Sequence, residues 1–181
     1  MAVSEFTLLG DALWLDFVNS ARGRTLSPPD LLPNATAYQR WARIQHLEME
    51  PDADAFARAL QFRAWLTALA EALHAGQQPP GGVIEAVNQQ LARSPGVHQL
   101  TRESGEWRLR FAASRPLTAL DAIAQSAART LADPLVTVRR CASQTCSVFF
   151  TDGSATRSRR WCDPSICGRH TRVERRRSSL H

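Results

Sequence analysis

The chain has 181 residues, of which 44% are hydrophobic; its 22 basic side chains are all arginine, and 17 residues are acidic. This length fits one domain, or one domain joined to a small module that is too short to build a hydrophobic core of its own. No apolar run reaches the roughly 18 residues of a transmembrane helix and the N-terminus lacks the basic start of a secretory signal, so we expect a cytoplasmic protein without a membrane span, in which persistent disulfides are rare.

The first part of the chain shows helical periodicity. Residues 11–23 carry apolar side chains at steps of four, which predicts a short amphipathic helix ending at Gly23. After a proline-rich turn, Asn34 is the predicted N-cap of a helix over 35–49. The longest helical signal covers 52–76, where apolar residues recur near the 3.6-residue period. Three helices are therefore expected before the middle of the chain.

The middle of the chain adds a hairpin between two further helices. A helix over 81–94 follows a Pro-Pro-Gly-Gly break. Residues 97–104 and 106–112 carry alternating apolar side chains around a Ser-Gly pair, which predicts a β-hairpin. Residues 115–133 return to helical spacing and stop before a proline. We therefore expect a helical N-terminal domain with one β-hairpin.

Three polar residues of the first predicted helix, Asp16, Asn19 and Arg22, follow one another at steps of three. If they faced a cavity, they could bind a small-molecule effector, because ligand sites combine apolar walls with a few polar groups. The alternative is a buried hydrogen-bond network that fixes how the helix packs. The sequence leaves both interpretations open.

The pattern changes near Pro134. Two short β-prone runs, 135–141 and 146–152, precede a segment of helical spacing. The sequence therefore predicts two domains, a helical one over 1–133 and a small module over 134–181. The fold class that follows is mainly α (α+β), with a short hairpin and a basic helix in the module.

All four cysteines of the chain fall in this module, with the spacing C-x4-C-x15-C-x4-C. A structural zinc ion needs four donors at the corners of a tetrahedron, and two close pairs of cysteines supply them. Four thiolates leave no position for water, which disfavours hydrolytic zinc chemistry. A regulatory disulfide or a redox pair is the alternative. The predicted Zn2+ ligands are Cys141, Cys146, Cys162 and Cys167.

The module has little apolar surface to bury, so a metal would replace missing hydrophobic area. Phe149, Phe150 and Trp161 are expected to form a miniature core beside the cysteines. His170 also lies near the cluster in sequence. Four sulfur ligands already suffice for zinc.

Basic charge is concentrated in the same part of the chain. Residues 139–181 hold 10 arginines against 3 acidic residues, whereas residues 1–138 hold 12 against 14. Such asymmetry favours a polyanion partner, most often nucleic acid, although pairing with Glu174 or simple solvation is the alternative. Arginines of a C-terminal helix would form one stripe, and others lie in the loop before Cys162. The predicted DNA-binding residues are Arg157, Arg159, Arg160, Arg169, Arg172, Arg175 and Arg176.

Residues 141–168 resemble the CGNR-type zinc fingers. The similarity rests on the segments "CASQTC", "CSVFFTDGS", "RRWC" and the final "CG". The family's finger closes with Cys-Gly-Asn-Arg, whereas this chain has Arg169-His170 after its last Cys-Gly. Upstream, the segment "GDALWLDFVNS" resembles the Leu-Asp-Phe-Val-Asn-(Thr/Ser) signature of the helical ABATE-type domain that is joined to these fingers.

The resemblance implies a bacterial transcription regulator linked to stress, with a finger that binds DNA. We expect the DNA to be a duplex. The N-terminal domain would sense an effector or form a homodimer. The alternatives are a zinc-stabilised module that docks on an acidic protein surface and a thiol redox switch. We do not expect an enzyme, because the chain lacks a Gly-rich phosphate loop and the G-x-S-x-G and H-E-x-x-H motifs.

Overall fold

A computed structural model describes residue 6 and residues 8–25, 27–50 and 52–178, except the side chains of 174–178. The described part forms six α-helices, one π-helical turn and two antiparallel hairpins, which confirms the expected mainly α (α+β) fold class. The helices are α1 (Leu13–Asn19), α2 (Ala35–Ile44), α3 (Ala55–His74), α4 (Val83–Ala92), α5 (Ala119–Ala132) and α6 (Arg169–Ser178). The strands are β1 (Gly96–Glu103), β2 (Glu106–Ala113), β3 (Thr137–Arg140) and β4 (Phe149–Asp152), and the π-helical turn is Pro164–Gly168.

Local capping sets where the helices begin and end. The Asn34 side chain accepts a hydrogen bond from the Ala37 amide at 3.0 Å, so the predicted N-cap of α2 is confirmed. Helix α5 begins with a capping box between Thr118 and Asp121, which satisfies two amides that the helix itself cannot. Helix α1 is shorter than predicted, because the chain turns at Ser20, whose hydroxyl donates to the Phe17 carbonyl at 2.6 Å.

The main core is aromatic and lies between α1, α2, α3 and α5. Trp14, Phe17, Tyr38 and Trp41 are almost completely buried there, and the ring centroids of Phe17 and Trp41 are 5.3 Å apart. The indole NH of Trp14 donates to the Thr130 hydroxyl at 3.0 Å, so its polar group is satisfied inside the core.

Among the described residues, no helix combines the length and the apolar character that crossing a bilayer requires.

The β1–β2 hairpin confirms the one predicted in the middle of the chain. Its strands pair in register from Gly96 with Ala113 to Glu103 with Glu106. The two turn residues between the strands, Ser104 and Gly105, have φ angles of 50° and 88°. Positive φ at both positions is the geometry of a type I′ turn, whose twist matches that of the strands.

The β3–β4 hairpin begins the C-terminal module and packs against the helices. Strand β3 contacts α3 and strand β4 contacts α1. Val138 and Phe149, which are 4% and 1% exposed, belong to the main core, whereas Phe150 and Trp161 pack with the cysteines. The expected miniature core of Phe149, Phe150 and Trp161 is therefore wrong for Phe149, because neighbouring strand residues point to opposite sides of a hairpin.

Candidate metal centre and nucleic-acid interface

The structure brings the four predicted zinc ligands into one buried cluster. The Sγ atoms of Cys141, Cys146, Cys162 and Cys167 all lie within 4.8 Å of one another. The Sγ of Cys162 is 3.8 Å from that of Cys146 and 3.7 Å from that of Cys167. A Zn–S bond of about 2.3 Å places the sulfurs of a tetrahedral site about 3.8 Å apart. The cluster therefore has the dimensions of a four-thiolate zinc site, and none of its thiols is bridged.

Backbone hydrogen bonds hold each pair of cysteines in place. The Cys141 amide donates to the Val148 carbonyl at 2.9 Å, and the Cys146 amide donates to Ser143 at 3.0 Å. For the second pair, the Cys167 amide donates to the Asp163 carbonyl at 2.9 Å. These bonds fix the sulfur positions through the backbone.

Asp163 starts the π-helical turn that carries Cys167. Its carboxylate accepts from the Ser165 amide at 2.9 Å and from the Ser165 hydroxyl at 2.7 Å, and these bonds hold the pKa of Asp163 below its usual range. Pro164 occupies the first position of the turn, where its missing amide costs nothing. The Asp-Pro-Ser sequence is a recognisable helix-start signal that our sequence reasoning did not use.

The electrostatics of the thiols favour a bound cation. Burial and the neighbouring Cys146 and Cys141 raise the pKa of Cys167 to about 12. Hydrogen bonds that the Cys162 thiol donates to Cys141 and Cys146, together with burial, also raise the pKa of Cys162. Thiolates this close repel one another, and a divalent ion removes the repulsion and stabilises the deprotonated forms. The residues present therefore fit Zn2+.

Arg159, one of the predicted DNA-binding residues, makes several contacts within the module. Its Nε donates to the Trp161 carbonyl at 3.0 Å and its Nη2 to the Cys162 carbonyl at 2.5 Å. Its guanidinium also lies 4.4 Å from the centroid of the Phe150 ring and forms an ion pair with Asp11. These contacts use the side chain inside the fold of the module, so little of it is available to a phosphate.

Asp152 is a structural residue that the sequence reasoning missed. It is 1% exposed, and it accepts from the Ser154 hydroxyl at 2.6 Å and from the Arg159 amide at 2.9 Å. Arg139 forms an ion pair with it at 3.1 Å. The Ser154 hydrogen bonds in particular lower the pKa of Asp152, so this buried carboxylate ties strand β4 to the loop before Cys162.

Four other predicted DNA-binding arginines are exposed on the module. Arg157 and Arg160 precede Cys162, and Arg169 and Arg172 follow the π-helical turn on α6. The guanidinium of Arg160 lies 5.2 Å from the Trp161 ring centroid, which holds it at the surface. The side chains of Arg175 and Arg176 lie outside the described residues.

Asp16, Asn19 and Arg22 have partners within the fold. The Asp16 carboxylate accepts from the Gly10 amide at 2.8 Å, and burial raises its pKa to about 6. Arg22 pairs with Glu71 at 2.6 Å and lies over the Phe149 ring, with 4.7 Å from Cζ to the ring centroid. The hydrogen-bond network that we considered as the alternative is therefore present, and the effector site stays a prediction.

Asn19 connects the helices to the module directly. Its amide NH2 donates to the Phe149 carbonyl at 2.8 Å, and its carbonyl oxygen accepts from the Phe149 amide at 2.9 Å. Two further backbone bonds run beside it, from Thr151 to the Gly10 carbonyl and from Ser147 to the Gly23 carbonyl, both at 2.9 Å. The fold thus seats the cysteine module on the N-terminal end of the helical region.

Comparison with known families agrees with this architecture. The ABATE family, described as "Putative stress-induced transcription regulator", matches residues 11–134. The CGNR zinc finger family matches residues 137–178. No curated protein matches the chain. The matched finger and the clustered cysteines together identify Zn2+ as the cofactor, and the chain belongs to the ABATE family, with a CGNR zinc finger as its C-terminal module.

Proposed function

We propose that this protein is a bacterial cytoplasmic regulator that binds duplex DNA through the exposed arginines of its zinc finger and catalyses no reaction. The observation that carries the proposal is the exposure of Arg157, Arg160, Arg169 and Arg172 on one small zinc-stabilised module. Arginine binds phosphate oxygens and can form bidentate hydrogen bonds to guanine edges in the major groove.

Two of the three acidic residues of the finger already have partners within the fold. Asp152 is buried against Arg139 and Arg159, and Asp163 caps the π-helical turn. The finger therefore presents mainly positive side chains to a polyanion. Because α6 begins two residues after Cys167, bound zinc fixes the start of the helix and reduces the entropy lost when its arginines contact DNA.

The Arg169-His170 pair stands where the CGNR family has Asn-Arg. The change moves a guanidinium one position closer to Cys167, at the first residue of α6. Zinc binding uses the cysteines alone and is unaffected. We therefore expect the start of α6 to contact DNA. Its preferred DNA sequence should differ from that of fingers that end in Asn-Arg.

A salt titration of DNA binding tests the proposal. Zinc-loaded protein is titrated with labelled duplex DNA at several salt concentrations, and the logarithm of affinity is plotted against the logarithm of salt. With four phosphate contacts we expect a slope near −3.6, because each contact releases roughly 0.9 counterion. Arg160→Gln/Arg172→Gln should reduce this slope by about 2.

The matched control removes the same charge from the helical region. Arg43 and Arg108 are exposed outside the finger, so Arg43→Gln/Arg108→Gln should leave the slope within about 0.5 of the wild-type value. Absence of duplex binding at low salt would contradict the proposal and favour an acidic protein surface as the partner. Equal effects of the two double variants would show that only the net charge matters.

A further inference from the structure

The β1–β2 hairpin carries large apolar side chains on one face, and they are exposed. We define the apolar face by three cross-strand pairs, His98 with Phe111, Leu100 with Leu109, and Arg102 with Trp107. Trp107, Leu100 and Leu109 are 68%, 67% and 66% exposed. They leave on the order of 400 Å² of apolar surface in water, the size of a functional patch on a monomer. A two-stranded ribbon is marginal by itself, so a cover would stabilise it.

Four of the five charged residues of the hairpin lie on its opposite face. Arg110 pairs with Glu103 at 2.7 Å, and Arg108 pairs with Glu106 at 3.2 Å. Throughout this hairpin, which the structure describes completely, the apolar face carries no carboxylate, and its one charged residue is Arg102. Covering the apolar face therefore removes few charges from water, which favours a protein partner over a nucleic acid.

The base of the apolar face opens on a cavity between the hairpin, α4 and α5. The cavity has a volume of about 260 Å³, enough for one large aromatic side chain. Apolar walls come from the hairpin and from both helices, and polar side chains complete the lining. The lining residues are Leu91, Ser94, His98, Phe111, Gln125, Ala128 and Arg129.

The register makes the apolar face complementary to itself. Trp107 and Phe111 each lie two residues from Leu109 on β2, and Arg102 and His98 each lie two residues from Leu100 on β1. A twofold axis between two such faces, perpendicular to the strands at the leucine pair, packs leucine on leucine. It also carries Trp107 of one copy over Phe111 of the other, about 7 Å along the strand from the leucine pair.

We propose that two copies of this chain associate through their apolar faces, with Trp107 of each copy inserted into the cavity beside Phe111 of the other. The composition of the face supports this occupant. Neither copy brings a carboxylate to the contact, and the register places leucine on leucine at its centre, so no acidic group is buried when the two faces meet.

The area sets the expected strength of the dimer. A stable interface buries about 800 Å² on each partner, and the exposed patch supplies on the order of half of that. The cavity walls and the tip supply the remainder only if Trp107 is inserted. We therefore expect a dissociation constant of about 1 to 50 μM, and a strong dependence of dimerisation on this one tryptophan.

Sedimentation velocity on the zinc-loaded full chain tests the proposal over a concentration range of about 1 to 200 μM. The wild type should pass from monomer to dimer mass. Leu109→Glu should weaken the dimer at least about tenfold, because it buries a carboxylate without a partner. Gln125→Trp fills the cavity from α5 without altering the hairpin and should weaken it by a similar factor.

Val97 provides the matched control. It lies on the opposite face of the same hairpin and is 58% exposed, so Val97→Glu should leave the dissociation constant within about twofold of wild type. A wild type that stays monomeric over the whole range overturns the proposal. So does a Val97→Glu effect equal to that of Leu109→Glu, or an unaltered dimer in Gln125→Trp.

Circular dichroism and zinc content of each variant verify that it folds. Should Leu109→Glu fail to fold, Gln125→Trp decides the outcome alone, because it leaves the hairpin sequence intact. None of these measurements involves DNA, so their result is independent of the proposed function.

Discussion

Asn19 satisfies both backbone polar groups of Phe149 from within a buried position. A shorter side chain would leave the Phe149 amide and carbonyl without partners where water does not reach. Each such unsatisfied group costs about 1 to 3 kcal/mol. The amide of one residue thus contributes a large share of the attachment between helix α1 and strand β4.

Asn19→Ala should therefore lower the free energy of unfolding of the zinc-loaded protein by about 2 to 4 kcal/mol. Urea denaturation followed by tryptophan fluorescence measures the change. Asn88 is an exposed residue of α4, so Asn88→Ala is the control and should stay within about 0.5 kcal/mol. A similarly small effect of Asn19→Ala would show that the two hydrogen bonds contribute little to stability.

The residues of the site differed in how far the sequence revealed them. The four cysteines could be predicted from spacing alone, because zinc restricts both the type and the number of its ligands. Arg159 could not be separated from the exposed arginines, because charge counts do not show which guanidinium is half-buried within the fold. Asn19 stood out as a polar residue in an apolar helix, but its partner lies 130 positions away and could not be predicted.

Some elements of the C-terminal module are stabilised mainly by the metal, and others mainly by packing against the helices. The cysteine turns and the start of α6 are held near the zinc site, whereas β3 and β4 also bury Val138 and Phe149 in the main core. Loss of zinc should therefore disorder the cysteine turns first. The two strands retain part of their contacts through apolar burial, worth about 1.5 to 3 kcal/mol for each large side chain.

Cys162→Ser should abolish stoichiometric zinc binding and unfold most of residues 139 to 177. The helical region of residues 1 to 133 should keep most of its far-ultraviolet circular dichroism but melt at a lower temperature than wild type, because the strand that carries Phe149 is then held less firmly against its core. Treatment of wild type with a chelator should reproduce the variant, and added zinc should restore only the wild type. Complete loss of helical signal in the variant would contradict the proposed division of the chain.

Local signals predicted most elements, and contacts between distant segments explain the differences. Asn34 marks the start of α2 because capping is a local interaction. The end of α1 and the burial of Phe149 depend on partners from the other end of the chain, and a four-residue strand is too short for its periodicity to show which face is buried. The exposed hairpin was predicted correctly as a hairpin, but its alternation did not reveal an uncovered apolar face.

At the scale of the whole molecule, the two proposals together predict the form of the DNA target. A twofold dimer presents two fingers related by symmetry, so its preferred sites should be inverted repeats. Selection from a random duplex pool should recover two half-sites at a fixed spacing with wild type. Leu109→Glu should recover single half-sites with weaker affinity. Recovery of direct repeats by the wild type would contradict the twofold arrangement.

The burial of Phe149 and Val138 under the helices limits how this finger could have spread during evolution. A finger separated from the helices before β3 would expose Phe149 and Val138 to solvent. A different N-terminal domain could pack against it only if that domain offered an apolar pocket and a side-chain amide like that of Asn19. Recombination at this junction would therefore destabilise both parts. The helical domain and the finger should accordingly be inherited as one unit.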